Sequence, residues 1–371
     1  MRVKNRFVFA IILLALSWAA NSCAKQVKLD ADDSERRLLE AFLKIDQNNT
    51  WEVKSDGIAT LMNQTGSGKV VTDTSNVFVN ITASDIRGNN VIDNFVYMGT
   101  SSVGMSTNNV ALARQLGEYL NTWYYGERLL PMREEMVLVS RGLTRGLRSA
   151  LKGKREGDSF KVLLPTWTSD YGVYSPSRTA TYPIIYEIEI VKVIEDYEAH
   201  VLTLLQQYSD DYYGGIGPIK ETDEDSGEES IVEGIYVAMI DAGDGEQLKS
   251  GDRINFNYTA TLLDGFVFDT SIEDVAREHR IYNSSNTYGT ITDYQLTNSN
   301  SSGSVDDGSG NTISMPNGVN RALMQMKAGG SAYIFFSHIF GYADAMSDTK
   351  QFGWWQPLVY HIVIEEAEDT D

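Results

Sequence analysis

The chain repeats itself. Gly57-Ile58 returns in the second half as Gly234-Ile235. Met62 and Met239, Gly66 and Gly243, Gly68 and Gly245, and Gly88 and Gly265 keep the same offset without a gap. So does Val79-Asn-Ile-Thr-Ala83 against Phe256-Asn-Tyr-Thr-Ala260. Later blocks, Gly146 with Gly318 and Pro183 with Pro357, match at a slightly shorter offset. Self-similarity at a nearly fixed period means that one supersecondary pattern is built twice. At 371 residues the chain is long enough for two or three domains, each burying its own core.

The second copy is the more legible. Ile254, Phe256 and Tyr258 alternate with polar residues, the period of a half-buried strand. Asp264-Gly265 is a turn dipeptide, because glycine accepts positive φ without steric cost. A short strand, Phe266-Val267-Phe268, then delivers Asp269 to its end. Gly318 to Gly329 reads as one short helix, followed by a strand through Phe336, by Gly341-Tyr342, and by a closing strand from Gln356 to Ile364.

In the first half, Leu38, Phe42 and Ile45 share a helical face, with Asp33 or Ser34 as amino cap. Leu112, Leu116 and Leu120 suggest another helix. Gly146 to Gly157 reads as a short helix closed by Gly157. Strands are expected over Phe160–Leu164 and Ile184–Val193, and a second amphipathic helix over His200–Tyr208. Gly214 to Ser230 carries six acids and has the composition of a solvated linker. The stretch from Ser271 to Ser314 is rich in Ser, Asn and Gly, and reads as a flap over a pocket or an inert loop.

Charge and composition exclude several functions. A formal charge of -20 repels phosphate, so nucleic-acid binding is not expected. One cysteine allows no intrachain disulfide, and four scattered histidines give no metal cluster. Gly66-Ser-Gly-Lys69 misses the spacing of a phosphate loop, and Asp306 to Asn311 lacks the closing acid of a calcium loop. No cofactor is implied.

Arg2, Lys4 and Arg6 precede an apolar run from Phe7 to Ala20, then Ala20-Asn21-Ser22-Cys23. A basic head, an apolar core too short to span a bilayer comfortably and small residues describe a secretory signal peptide over 1–22. With the lone Cys after those small residues, the segment resembles a bacterial lipoprotein signal, although Ala20 stands where that signal usually has Leu. The resemblance implies lipidation at Cys23 and a membrane anchor in the cell envelope, on the outer membrane facing the periplasm. Ordinary cleavage leaving a free thiol is the alternative.

The run from Tyr258 through Asp264-Gly265 to Phe268-Asp269-Thr270 resembles the signature of the FKBP-type peptidyl-prolyl cis/trans isomerases. The blocks from Gly234 to Asp252, at Gly318, at Gly341-Tyr342 and at Gln356 extend that resemblance from Gly234 to Ile364. It implies an α+β protein with two FKBP-like domains, at 55–195 and 231–366. Each would be a curled antiparallel sheet around one short helix, preceded by a helix in 23–54 or 196–230. The activity implied is isomerisation of proline-containing segments, or help in their folding. Turning an X-Pro bond crosses a barrier of about 18–20 kcal/mol set by amide resonance. The twisted amide is less polar than the planar one, so an apolar pocket favours it and neither metal nor nucleophile is needed.

Carried over residue by residue, the resemblance assigns Tyr258 and Asp269 as the polar catalytic pair. Phe268, Val319, Tyr342 and Tyr360 would contact substrate, with Phe268 and Tyr360 on the floor. Two positions depart from the family. Its floor tryptophan falls at Val319, and the N–H that would hold a substrate carbonyl falls at Pro316, which has none. In the first copy Ile81 and Ile92 replace the polar pair, although Tyr171, Tyr186 and Leu147 survive nearby. Any activity is therefore expected in the second copy. The rival reading is a non-catalytic lipoprotein whose degenerate domains bind a protein or polymer.

Overall fold

The structure is a computed structural model that describes residues 31–46, 49–89, 127–131, 143–170, 177–178, 180–222, 226–263, 265–297, 304–306, 312–342 and 356–365. The signal-like segment with Cys23, the Leu112–Leu120 stretch, Ile92, Tyr171 and most of the calcium-loop echo lie outside the described residues.

Two antiparallel sheets carry the architecture, as the sequence implied. The first joins β1 (Glu52–Val53), β2 (Ala59–Gln64), β3 (Asn76–Asp85), β4 (Glu127–Pro131), β5 (Ser159–Leu164) and β6 (Ile184–Ile194), in the order β1-β2-β5-β6-β3-β4. The second contains β9 (Ile235–Asp241), β10 (Arg253–Leu262), β11 (Val267–Thr270), β12 (Ile291–Gln295), β13 (Ser304–Asp306), β14 (Thr312–Ser314), β15 (Ser331–Phe336) and β16 (Leu358–Ile364). Its order is β14-β13-β12-β10-β16-β15-β9, with β11 on β10. Among the described residues, six strands build the first sheet and eight the second.

The repeat is structural. Strands β2-β5-β6-β3 of the first sheet and β9-β15-β16-β10 of the second pair in the same order. The offset that carries Gly57 onto Gly234 also carries β3 onto β10, end to end. The shorter offset between Gly146 and Gly318 carries β5 onto β15 in the same way. Gly88 and Gly265, at φ +83° and +87°, turn the chain after β3 and β10, a backbone region that side-chain-bearing residues avoid.

Inside each sheet lies one short helix. Helix α2 (Arg145–Leu151) buries Leu147 and Leu151 in a core with Phe160, Val162 and Ile188. Helix α5 (Asn317–Leu323) buries Val319 and Leu323 in a core with Phe256, Phe336 and Tyr360. A fully buried side chain of this kind contributes roughly 1.5–3 kcal/mol. Helix α2 ends at Leu151, earlier than expected. Gly157, expected as its cap, instead turns the chain into β5 at φ +90° and donates its N–H to the Ile190 carbonyl at 2.8 Å.

A longer helix covers the opposite face of each sheet. Helix α1 (Ala31–Ile45) uses Leu39, Phe42 and Leu43 against Ala59, Leu163 and Ile185. The sequence pointed to Leu38 and Ile45, but these are 46% and 83% exposed. Polar anchors help to set the helix rotation: Glu35 accepts the N–H and hydroxyl of Thr166, and Asp32 pairs with Arg178. Asp33 and Ser34 lie within the helix and are not its caps.

Helix α3 (Tyr197–Tyr213) is longer than expected at both ends, started by Asp196 accepting from the Ala199 N–H and ended by Gly214 at φ +70°. It lays Tyr197, Val201 and Leu205 on Tyr236, Phe335 and Val359. The acidic stretch after it is not a free linker. Strands β7 (Lys220–Thr222) and β8 (Glu229–Ile231) pair, and flanking Ile219 and Val232 enter the second core. Glu221 makes a two-pronged ion pair with Arg321 on α5 at 2.5 and 2.7 Å.

Candidate active site

Alternation along β10 sends Ile254, Phe256, Tyr258, Ala260 and Leu262 inward. Tyr258 is held at both ends. Its backbone N–H donates to the Ser271 hydroxyl at 3.0 Å, and its carbonyl accepts from the Thr270 hydroxyl at 2.8 Å and the Ser271 N–H at 3.0 Å. Its phenol donates to Asp269 Oδ2 at 3.0 Å. Strand β11 places the carboxylate there by pairing Asp269 opposite Ala260, and the other oxygen accepts the Thr270 N–H at 3.1 Å. The expected polar pair is therefore assembled. Burial, then the Asp269 charge, pushes the Tyr258 phenol well above its ordinary pKa, so it stays protonated at neutral pH.

Tyr258 and Asp269 open onto a cavity of about 410 Å³, within the usual range for small-molecule sites. Tyr360, on β16 opposite Ala260, lies beneath, its ring 5.8 Å from that of Tyr258 and stacked on Phe336 at 5.7 Å. Tyr342 follows a 3-10 turn (His338–Phe340) and brings its hydroxyl 3.4 Å from that of Tyr360. Burial, then Tyr342, holds the Tyr360 phenol well above its ordinary pKa.

Two expected contacts fall behind the wall. Phe268 is buried and meets Tyr360 edge-on, with ring centres 6.3 Å apart. Val319 is fully buried in the core. Neither lines the cavity; Phe268 backs its floor through Tyr360, and Val319 belongs to the same core. An α-helix buries the face that looks into its core, and position 319 belongs to that face of α5. Pro316 opens α5 by accepting from the N–H groups of Val319 and Asn320, and supplies no N–H of its own.

The remaining wall comes from residues that the sequence left unassigned. Ser285, Asn286 and Thr287 face the cavity, as do Ile291, Ile313 and Met315. The Ser271–Ser314 stretch is thus neither inert nor a plain flap, since it contains α4 (Glu273–Glu278), β12 and β14. Tyr282 and Tyr288 stack at 5.3 Å across the polar run, the Tyr288 phenol accepts the Asn283 N–H at 3.0 Å, and Arg277 covers Tyr282 at 3.5 Å. Paired tyrosines around Ser-Ser-Asn-Thr were the available signal for a clasped loop. Among the described residues no cluster of His, Cys, Asp and Glu could hold a metal ion.

In the first copy, Ile81 takes the Tyr258 position and is packed in the core, while Tyr186 stands where Tyr360 does. No helix among the described residues is long and apolar enough to cross a membrane.

No protein-family model and no curated protein sequence matches the chain. Solved structures do resemble it. FkpA from Escherichia coli is 15% identical, over 52% of this chain and 74% of that one, with a TM-score of 0.29. The three FKBP domains of wheat FKBP73 are 13% identical, over 85% and 98%, at 0.24. A peptidyl-prolyl cis-trans isomerase from Pseudomonas syringae pv. tomato is 16% identical, over 46% and 94%, at 0.27. Likeness at this level carries no residue role or activity across to the chain.

Proposed function

We propose that the second unit is a peptidyl-prolyl cis/trans isomerase of the FKBP type, acting on proline-containing segments at the Tyr258–Asp269 cavity. The observation that carries this reading is the 3.0 Å bond from Tyr258 to Asp269 at the edge of a cavity floored by Tyr360. The proline ring enters over Tyr360 and Tyr258, whose apolar ring faces favour the less polar twisted amide. When Tyr342 donates to Tyr360, the Tyr360 proton can turn to a substrate carbonyl. The Tyr258 proton is committed to Asp269, so Tyr258 contributes an oriented ring and a fixed lip. Lacking an N–H at Pro316, the site has one donor fewer than the family resemblance implies, and its rate enhancement is modest.

Exchange NMR on a proline peptide tests this, comparing the full chain with Asp269→Ala. Faster isomerisation that falls in the variant supports the reading. Acceleration unaffected by Asp269→Ala refutes the site, and no acceleration favours a binding module.

We further propose that the protein is held on the cell envelope by a lipid at Cys23; the basic head, apolar run and small residues before that cysteine support this. Mass spectrometry of the native amino terminus checks it. A soluble product with a free Cys23 thiol would sink the idea.

A further inference from the structure

A second cavity, of about 660 Å³, lies outside the proposed isomerase site, on the α1 face of the first sheet. Its floor is a row of outward side chains across four strands, Leu61–Lys161–Glu187–Thr82, fixed by strand pairing. Phe42 and Trp51 form one wall, with ring centres 6.3 Å apart, and Ile86 stands in the lining near Asp85. The indole N–H of Trp51 donates to Asp46 at 2.7 Å, which fixes the ring where helix α1 ends.

The repeat shows that this cleft is not required by the fold. The equivalent row in the second sheet is Ala238–Tyr333–His361–Thr259. There Tyr333 stacks on His361 at 4.7 Å, and Tyr213 at the end of α3 lies 5.7 Å from Tyr333. The longer helix thus fills the space with aromatic rings. In the first unit α1 stops short, and the row below it is a charge pair.

The lining also states its ligand. Asp46, Asp85 and Glu187 set three carboxylates against the single ammonium of Lys161. Hydrogen bonds, from Trp51 in one case and Asn89 in the other, hold Asp46 and Asp85 below the usual carboxylate range, so both are charged at neutral pH. Beside them lie an indole face and aliphatic side chains. Negative potential next to aromatic and apolar surface suits a cation on an apolar stem.

We infer that this cleft is a polypeptide-binding site for segments carrying basic and apolar side chains, separate from the isomerase cavity and confined to the first unit. It gives the unit that lacks Tyr258 and Asp269 counterparts a holding role.

Calorimetric titration of the full chain tests this with a proline-free peptide of Lys and Leu spaced by Ser and Gly. The expected result is saturable binding, weakened about tenfold by Trp51→Ala, as for an aromatic anchor. Glu187→Gln should weaken it about twofold, as for an exposed charge. Asp269→Ala should leave it unchanged. Glu187 is exposed, so its variant keeps the test valid if Trp51→Ala does not fold. Absence of binding, equal binding of a Glu/Leu peptide, binding unchanged in both cleft variants, or loss in Asp269→Ala would each overturn the proposal.

Discussion

The two units share a four-stranded framework and differ in what they place on it. Inward positions of β3 and β10 agree in being apolar, yet Ile81 fills one and Tyr258 the other. Outward rows at the same register hold an ion pair in the first sheet and an aromatic stack in the second. The framework depends on alternation, turn glycines and strand order, all of which tolerate such exchanges. Chemistry depends on single side chains at the rim, which do not.

If each core is self-sufficient, damage to one should spare the other. Phe336 is fully buried in the second core, against Gly318 on α5. Phe336→Ala should cost about 3–5 kcal/mol, the usual range for a large core truncation. Denaturation followed by unit-specific probes should show the second transition moving and the first staying in place. Equal movement of both would mean that the Phe78 and Ile194 contacts with α3 couple the units into one cooperative body.

The polar pair offers a sharper contrast. Tyr258→Phe keeps the ring and removes the bond to Asp269. A hydrogen bond to a charged group contributes roughly 1.5–3 kcal/mol, here to holding the ring and the lip in place, and only part of that orientation acts on the twisting amide. Isomerisation should therefore slow by about tenfold with little change in fold. The reverse exchange, Ile81→Tyr, puts a phenol into an apolar core and should cost about 1–3 kcal/mol without creating activity. Activity gained in that variant would show that one tyrosine is enough and that the acid is dispensable.

Acid should separate the units more gently. All four histidines follow residue 196. Burial lowers His338 to about 4, and burial with help from Lys192 lowers His200 to about 4. Both rings are neutral in the fold, whereas the unfolded chain takes up protons near 6.5. The unfolded state thus binds more protons between those values, and stability falls as pH drops from 6.5 towards 4. In the first unit, Asp32, Asp46 and Asp85 are held below 3.8, chiefly by side-chain hydrogen bonds, so their contribution is lost only at lower pH. Melting of the second unit, which holds His338, should drop over pH 6.5–4.5, and His338→Gln should flatten the slope. The first unit should drop less, through His200 alone, which faces its Phe78 and Lys192.

How much of this was legible follows from what each feature depends on. The repeat was readable from matching residues at a near-constant offset, and the strands from their alternation. The Tyr258–Asp269 pair was readable only through the family resemblance of the run that holds it. The buried face of α1 was not, since Leu38, Leu39, Phe42, Leu43 and Ile45 allow two rotations and the distant anchors Thr166 and Arg178 bear on which is adopted. The acidic stretch looked solvated because Arg321, its partner, is far along the chain. Phe268 and Val319 were assigned to the cavity by position, but pointing into a core and lining a cavity cannot be told apart in one dimension.

The smallest effect tests the outward rows. Lys161 and Glu187 form an ion pair with half-exposed side chains, 37% and 52% accessible. Solvent screens such a pair, and ordering two long side chains offsets most of the attraction, so Lys161→Ala should change stability by less than about 1 kcal/mol. Tyr333, at the equivalent place, stacks on His361 and lies against Tyr213. An aromatic pair contributes about 0.5–1.5 kcal/mol beyond area burial, so Tyr333→Ala should cost clearly more. The difference between the two variants, measured by urea denaturation of the full chain, reports how far each row is packed. Equal costs would mean that the first row is covered like the second, and that the cleft above Lys161 is closed in solution.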